Sequence, residues 1–202
     1  MKKTLLVVAA SFMFLGLACA QEKNLLIDDF EDVCIGVGNG TVDAGAGNGS
    51  SVEVGPALDI IRSGKQALKV SYDAVSGGYI YVARGYDLDV KASKWLVDPK
   101  DIKWDDYKAI SFYMYGSDSK AKISFDIKDS GNEIWRFIAE DNFKGWKQIV
   151  CPFDQFTARN DWQPESADKN SVIDFPLKSY QFEPLPEAKG VLYFEDVELI
   201  RK

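Results

Sequence analysis

Ile110, Phe112 and Met114 alternate with Ser111, Tyr113 and Tyr115, and a few residues on Ile123, Phe125 and Ile127 alternate with Ser124 and Asp126. Successive side chains of an extended strand point to opposite faces, so a period of two specifies strands with one apolar face and one polar face. Further segments read as strands: Leu25–Phe30, Ala57–Ile61, Ala67–Tyr72, Tyr79–Arg84, Glu133–Ile138, Lys147–Cys151, Leu177–Glu183 and Gly190–Ile200. They are separated by turn signals such as Ser63-Gly64, Ser76-Gly77-Gly78, Ser130-Gly131-Asn132 and Lys144-Gly145. About ten short strands without a helical segment predict an all-β, two-sheet antiparallel sandwich, because crossover helices for parallel pairing are missing. Two stretches break the rhythm. Gly36 to Gly55 is rich in Gly, Asn and Ser and reads as a long mobile loop, since it has little side chain to bury against its ordering entropy. Lys91 to Asp106, with Trp95, Pro99 and Trp104, is the second irregular stretch.

The first twenty residues have the pattern of an export leader: Lys2 and Lys3, an apolar run from Leu5 to Leu17, and Ala18-Cys19-Ala20 as a small-x-small cleavage site. The run is too short to span a bilayer, so no membrane insertion is expected. Cys19 offers lipid anchoring as a rival, but Gly16 stands where a lipobox has Leu, and cleavage after Ala20 is preferred. Residues 21–202 then form one domain that is secreted or periplasmic. The chain has 24 basic and 31 acidic residues, a net charge of −7 that loss of the leader lysines makes more negative. That balance argues against nucleic acid, whose binding depends on neutralising phosphates, and against anionic membranes. Cys34 and Cys151 remain after export, and a disulfide and two buried thiols are both open readings. Histidine is absent, which rules out a His-based catalytic triad and makes a zinc centre hard to build.

The densest cluster of chemistry follows a strand, in Pro152-Phe153-Asp154-Gln155-Phe156-Thr157-Ala158-Arg159-Asn160-Asp161-Trp162-Gln163-Pro164. A guanidinium and a carboxylate can hold hydroxyl pairs in bidentate geometry, and an indole can stack on a pyranose face with little rotamer entropy to lose. The flanks carry the same signature: Leu26-Ile27-Asp28-Asp29-Phe30-Glu31 near the beginning and Val191-Leu192-Tyr193-Phe194-Glu195-Asp196-Val197-Glu198-Leu199 at the end. In this order the motifs resemble carbohydrate-binding modules of family 11 and the related galactose-binding-like β-jelly-roll domains, over nearly all of the chain after the leader.

The resemblance implies a jelly roll and a non-catalytic carbohydrate-binding protein that recognises a β-glucan or related polysaccharide in a shallow groove, in association with separate glycan-degrading enzymes. Its ligand contacts map onto Arg159, Asp161 and Trp162, the last standing where the family has Tyr. Gly78-Tyr79 matches a family Gly-Tyr whose Tyr belongs to the platform, and period two adds Tyr81 to the same face, with Ile80 and Val82 facing inward. Ser179 matches a family residue, and Gln181 replaces a ring-bearing polar one on the same strand face. Structural alternatives are open for several of these: an Arg159–Asp161 pair that only orders its loop, a Trp162 that seals the end of the sandwich, and a Tyr81 in a buried cross-strand pair. The chain departs from the family at Gly131, Lys178 and Pro184, and it has no aromatic residue between Phe30 and Tyr72 where the family has Trp and Tyr. Trp104 and Tyr107 match family aromatics that lead into a strand and are expected in the core. Structural Ca²⁺ is implied where the first and last strands meet, with Asp29, Glu31 and Asp196 as candidate ligands; acidic strand ends facing water are the alternative. A structural or surface-assembly jelly roll without glycan binding is the rival function.

Overall fold

The computed structural model describes residues 23–33 and 40–202. The leader and Cys34 lie outside the described residues. Strands β1 (Leu25–Asp28), β2 (Asp43–Gly47), β3 (Ser51–Ala57), β4 (Ala67–Ala74), β5 (Tyr79–Gly85) and β6 (Tyr107–Ser117) make up the first half of the fold. The second half contains β7 (Lys122–Lys128), β8 (Ile134–Glu140), β9 (Lys144–Pro152), β10 (Thr157–Ala158), β11 (Ser179–Pro184) and β12 (Ala188–Arg201). Among the described residues the helical content is three single 3₁₀ turns, at Pro99–Asp101, Trp104–Asp106 and Phe153–Gln155.

The strands form two antiparallel sheets. The back sheet runs β3-β4-β12-β6-β9 with β1 also on β12, and the front sheet runs β10-β8-β7-β11-β5-β2. β12 serves two partners along one edge, pairing through Ala188–Phe194 with β4 and then, past an irregularity after Glu195, through Val197–Leu199 with β1. This is the expected jelly-roll sandwich. The core lies between the sheets, where Ile110, Phe112 and Met114 of the back sheet and Ile123, Phe125 and Ile127 of the front sheet are fully buried. Phe112 meets Phe125 and Phe182 at 4.7 and 5.1 Å between ring centroids, and Phe182 stacks on Phe194 at 3.8 Å. Trp104 and Tyr107 join this core, as expected, and so does Trp95, whose ring stacks on Tyr180.

A buried ionic group ties the sheets together at one end. Arg84 of β5 donates through Nε and Nη2 to the two carboxylate oxygens of Asp28 on β1, at 2.9 and 2.8 Å, and through Nη1 to the Thr41 carbonyl at 2.8 Å. Tyr180 of β11 donates its hydroxyl to Asp28 at 2.6 Å, and Asp32 accepts a further bond from Arg84. Burial opposes the charge on Arg84, but the bonds and the charge of Asp28 outweigh it and keep the guanidinium protonated. Burial, followed by the Asp28 charge, pushes the Tyr180 hydroxyl well up, so it stays a donor. Asp28 of the opening acidic motif is therefore a structural residue.

The expected mobile loop over residues 36–55 is corrected for its described part. Residues 43–47 and 51–57 are edge strands of different sheets, β2 against β5 and β3 against β4. Between them the chain changes sheet in a tight turn, with Asn48 and Gly49 both at positive φ and Ser50 N–H bonded to the Gly47 carbonyl. Small residues here reflect close contact with neighbours and not a lack of order. The strand expected at Ala57–Ile61 is likewise displaced: β3 ends at Ala57, and Leu58 is exposed. Pro56 fits because β3 is an edge strand.

Candidate functional site

The outer face of the front sheet differs from a solvated polar face. Asp43, Ala83, Gln181, Asp126, Arg136 and Thr157 lie in register across all of its strands. Asp126 and Ser124, expected to face water, are fully buried on this face. Two guanidiniums cover them. Arg136 donates to both oxygens of Asp126, at 3.0 and 2.9 Å, and to Glu183 at 2.7 Å. Arg159, delivered by the loop after β10, reaches Glu183 at 2.7 Å and Asp126 at 3.3 Å through Nη1. Its Nε and Nη2 grip Asp161 in bidentate fashion at 2.8 and 3.1 Å.

The loop that delivers Arg159 is held by Gln163. Its side-chain amide accepts from the Ile134 N–H and donates to the Ile134 and Arg159 carbonyls, all at 2.8–2.9 Å, in the manner of a short extra strand on β8. This bracing leaves Trp162 57% exposed, with the Arg159 guanidinium 5.8 Å from its ring centre. Trp162 does not seal the sandwich. With Asp126, Lys128, Pro164, Ser179 and Gln181 it lines a depression of about 140 Å³. Three predicted site residues, Trp162, Ser179 and Gln181, thus meet at one place, and Arg159, which bonds Asp126 and lies against the Trp162 ring, holds Asp161 by its other edge. Tyr79 and Tyr81 stand farther along the same face, on β5, while Ile80 and Val82 point into the core as the period demands.

Asp126, Arg136 and Glu183 were missed by reading the sequence. Asp126 and Glu183 do occupy polar positions in alternating strands, but only the β7–β8 and β7–β11 registers bring them under the two arginines. The Glu183 carboxyl is pushed up to about 7, first by burial and next by the neighbouring Asp126 charge, against the pull of Arg159 and Arg136. A carboxyl that binds its proton more tightly when folded contributes stability below its ordinary value of 4.5, and that contribution is lost as pH rises through about 7. Melting curves from pH 4 to pH 8 should show the wild type losing ground to Glu183→Gln over that window; parallel curves would rule the shift out.

A larger depression, of about 530 Å³, lies between the first two 3₁₀ turns and Phe175. Trp104 in its wall is buried, stacks on Phe175 at 5.1 Å and donates its indole N–H to the Pro99 carbonyl, so the ring is already committed to the fold.

The calcium candidates fit a cation poorly. Glu31 and Asp196 both reach the loop at residues 62–66, but the loop meets them with donors. Asp196 is bound by the Arg62 guanidinium and the Ser63 hydroxyl, and Glu31 accepts from the backbone N–H groups of Lys65 and Gln66. Asp29 instead accepts from the Glu31 N–H. No three acidic, His or Cys side chains converge as a metal-holding group among the described residues. Ca²⁺ would have to displace Arg62, so EDTA and excess Ca²⁺ are both expected to leave the melting temperature unchanged; a fall in EDTA that Ca²⁺ reverses would put the ion on this loop.

Comparison with known proteins places this arrangement. Residues 18–202 match the carbohydrate binding domain (family 11). The chain belongs to that family. Endoglucanase H of Acetivibrio thermocellus is 27% identical over 196 residues, a match that takes in 87% of this chain and 18% of that protein. The family 11 domain described here thus spans less than a fifth of that relative's length. Among solved structures, the family 11 module from Clostridium thermocellum in complex with a β-1,3-1,4-mixed-linked tetrasaccharide superposes with a TM-score of 0.68 at 24% identity, covering 90% of this chain and 98% of that one. The family 11 module of the cellulosomal cellulase Lic26A-Cel5E of Clostridium thermocellum gives 0.67 at 20% identity, covering 91% and 97%. These likenesses establish a family 11 fold, in which Arg159 and Asp161 form an ion pair and Trp162 stays open to solvent.

Proposed function

We propose that this family 11 domain is an exported, non-catalytic module that binds a β-glucan chain across the outer face of the front sheet and acts beside separate glycan-degrading enzymes. The observation that carries this reading is the depression lined by the exposed Trp162 indole together with Ser179 and Gln181. An indole that is both exposed and braced offers a flat apolar face to a pyranose ring, while Ser179, Gln181 and the neighbouring Arg159–Asp161 pair offer hydrogen bonds to its hydroxyls. The mixed-linked tetrasaccharide held by a family 11 relative supports the choice of a β-glucan. Membership in the family, the leader-like beginning and the endoglucanase relative support a module that works outside the cell near cellulases.

A second reading, a structural jelly roll without glycan binding, draws on the fact that Arg159 already has three carboxylate partners. Isothermal titration against β-1,3-1,4-glucan, xyloglucan, glucomannan and cellulose separates the two. Trp162→Ala should weaken binding about tenfold, roughly 1.4 kcal/mol, and leave the melting temperature within a few degrees because the ring is exposed. A wild-type protein that gives no heat with any of the four would put the structural reading in front.

A further inference from the structure

Phe175, on the segment that leads into β11, is 38% exposed although two other rings hold it in place. Trp104 stacks on it with 22° between the planes, and Phe153 meets it edge-on at 5.2 Å between ring centroids. Phe175 and Trp104 line the depression of about 530 Å³ together with Pro99, Ile102 and Pro176. The opposite wall is ordered by its own bonds. Asp98 caps the first 3₁₀ turn by accepting from the Lys100 N–H, the Ile102 N–H bonds the Pro99 carbonyl, and the Asp106 N–H bonds the Lys103 carbonyl. A depression of this size falls in the range of small-ligand sites, and walls that are already fixed cost a ligand little ordering.

Four charged side chains line the same depression, Lys100, Lys103, Asp105 and Asp106, two of each sign. Lys100 is taken by Asp98 at 2.9 Å, and Asp106 pairs with Arg201 at 3.4 Å. Lys103 and Asp105, both exposed, are then left for a ligand. Their charges balance, so the complement of this wall is neither an anion nor a cation. An ammonium that donates, a carboxylate that accepts and a braced aromatic ring match a neutral molecule with hydroxyls and one apolar face, which is the chemistry of a pyranose.

Given the β-glucan reading, on which the choice of ligand rests, we propose that this depression is a second glycan site, separate from the groove. One pyranose of a short glucan segment stacks on Phe175, and its hydroxyls bond Lys103 and Asp105. None of the residues lining this site lines the depression at Trp162, so each can be filled without the other. Phe175 nevertheless stands only four residues ahead of Ser179, a span of about 14 Å at full extension. Two glucan chains, or two parts of one chain, are thus held close together by a single domain, and attachment at two points raises avidity for a polysaccharide beyond that of either site.

The test follows amide and indole signals of the full chain by nuclear magnetic resonance while a β-1,3-1,4-linked tetrasaccharide is added. The Trp162 indole N–H reports the groove; the Lys103 and Asp105 amides and the Trp104 indole N–H report the second site. Both sets should shift in the wild type. Phe175→Ala should weaken the response of the second set about tenfold, as for loss of one stacked ring, and leave that of Trp162 within about twofold. Asp105→Ala, an exposed position that the fold does not depend on, should give the same separation, so the result stands even if the Phe175 variant is poorly folded. Trp162→Ala should leave the second set responding as in the wild type. A wild type in which the Trp162 signal shifts and the second set does not would overturn the second site and leave the β-glucan reading standing, whereas no shift in either set would remove both. Equal weakening of both sets by Asp105→Ala would also overturn the second site, since the two would then be one.

Discussion

Arg84→Ala is expected to destabilise the protein by about 3–5 kcal/mol, a fall in melting temperature on the order of 10 °C for a domain of this size. The side chain is 2% exposed, as is that of its partner Asp28, and it provides the bonds that satisfy Asp28, Asp32 and the Thr41 carbonyl. Truncation leaves the Asp28 carboxylate buried with Tyr180 as its remaining side-chain partner, and an uncompensated buried charge is among the most expensive defects a core can hold. Asp28→Ala should be nearly as severe, for the reciprocal reason. The double variant should lose less than the sum of the two, because neither charge is then stranded. Thermal denaturation of the three variants checks this, and a loss of only a degree or two in Arg84→Ala would mean that the group does not join the sheets.

Arg159→Ala is the second large effect, and it separates two residues that look equivalent in sequence. The Arg159 side chain is 11% exposed and bonds Asp126 and Glu183, whereas that of Asp161 is 52% exposed and has the two arginines for partners. Removing Arg159 leaves two buried carboxylates to share Arg136, so a stability loss of about 3 kcal/mol is expected, the lower part of the range for breaking a buried pair. On the proposed function, glucan affinity should also fall, by about 1–3 kcal/mol, as for hydrogen bonds to a charged group. Asp161→Ala should cost less than about 1 kcal/mol of stability, in line with exposed pairs, while still weakening binding. Glu53→Ala, on an exposed position of β3 in the other sheet, should change neither quantity. Equal melting temperatures for Arg159→Ala and Asp161→Ala would show that Arg159 is a rim residue and nothing more.

The sequence by itself determined the all-β class, the two-sheet sandwich and the inward-facing rows, because the strand period is a local property and Ile110, Phe112, Ile123 and Phe125 could satisfy it in only one way. Trp162, Ser179 and Gln181 were marked through the resemblance to family 11 modules, Trp162 also as an indole close to a guanidinium and a carboxylate in the chain, and the structure brings the three to one depression. Tertiary structure alone decided what Asp28, Arg84, Asp126, Arg136 and Glu183 do. Each is an ordinary polar residue in its own strand, and its partners lie on strands distant in sequence, so the pairing depends on register that no local period encodes. The same reason explains the misreading of Gly45 and Gly47: a glycine that suggests looseness in the chain is, once β2 lies beside β5, the space that a tyrosine ring fills.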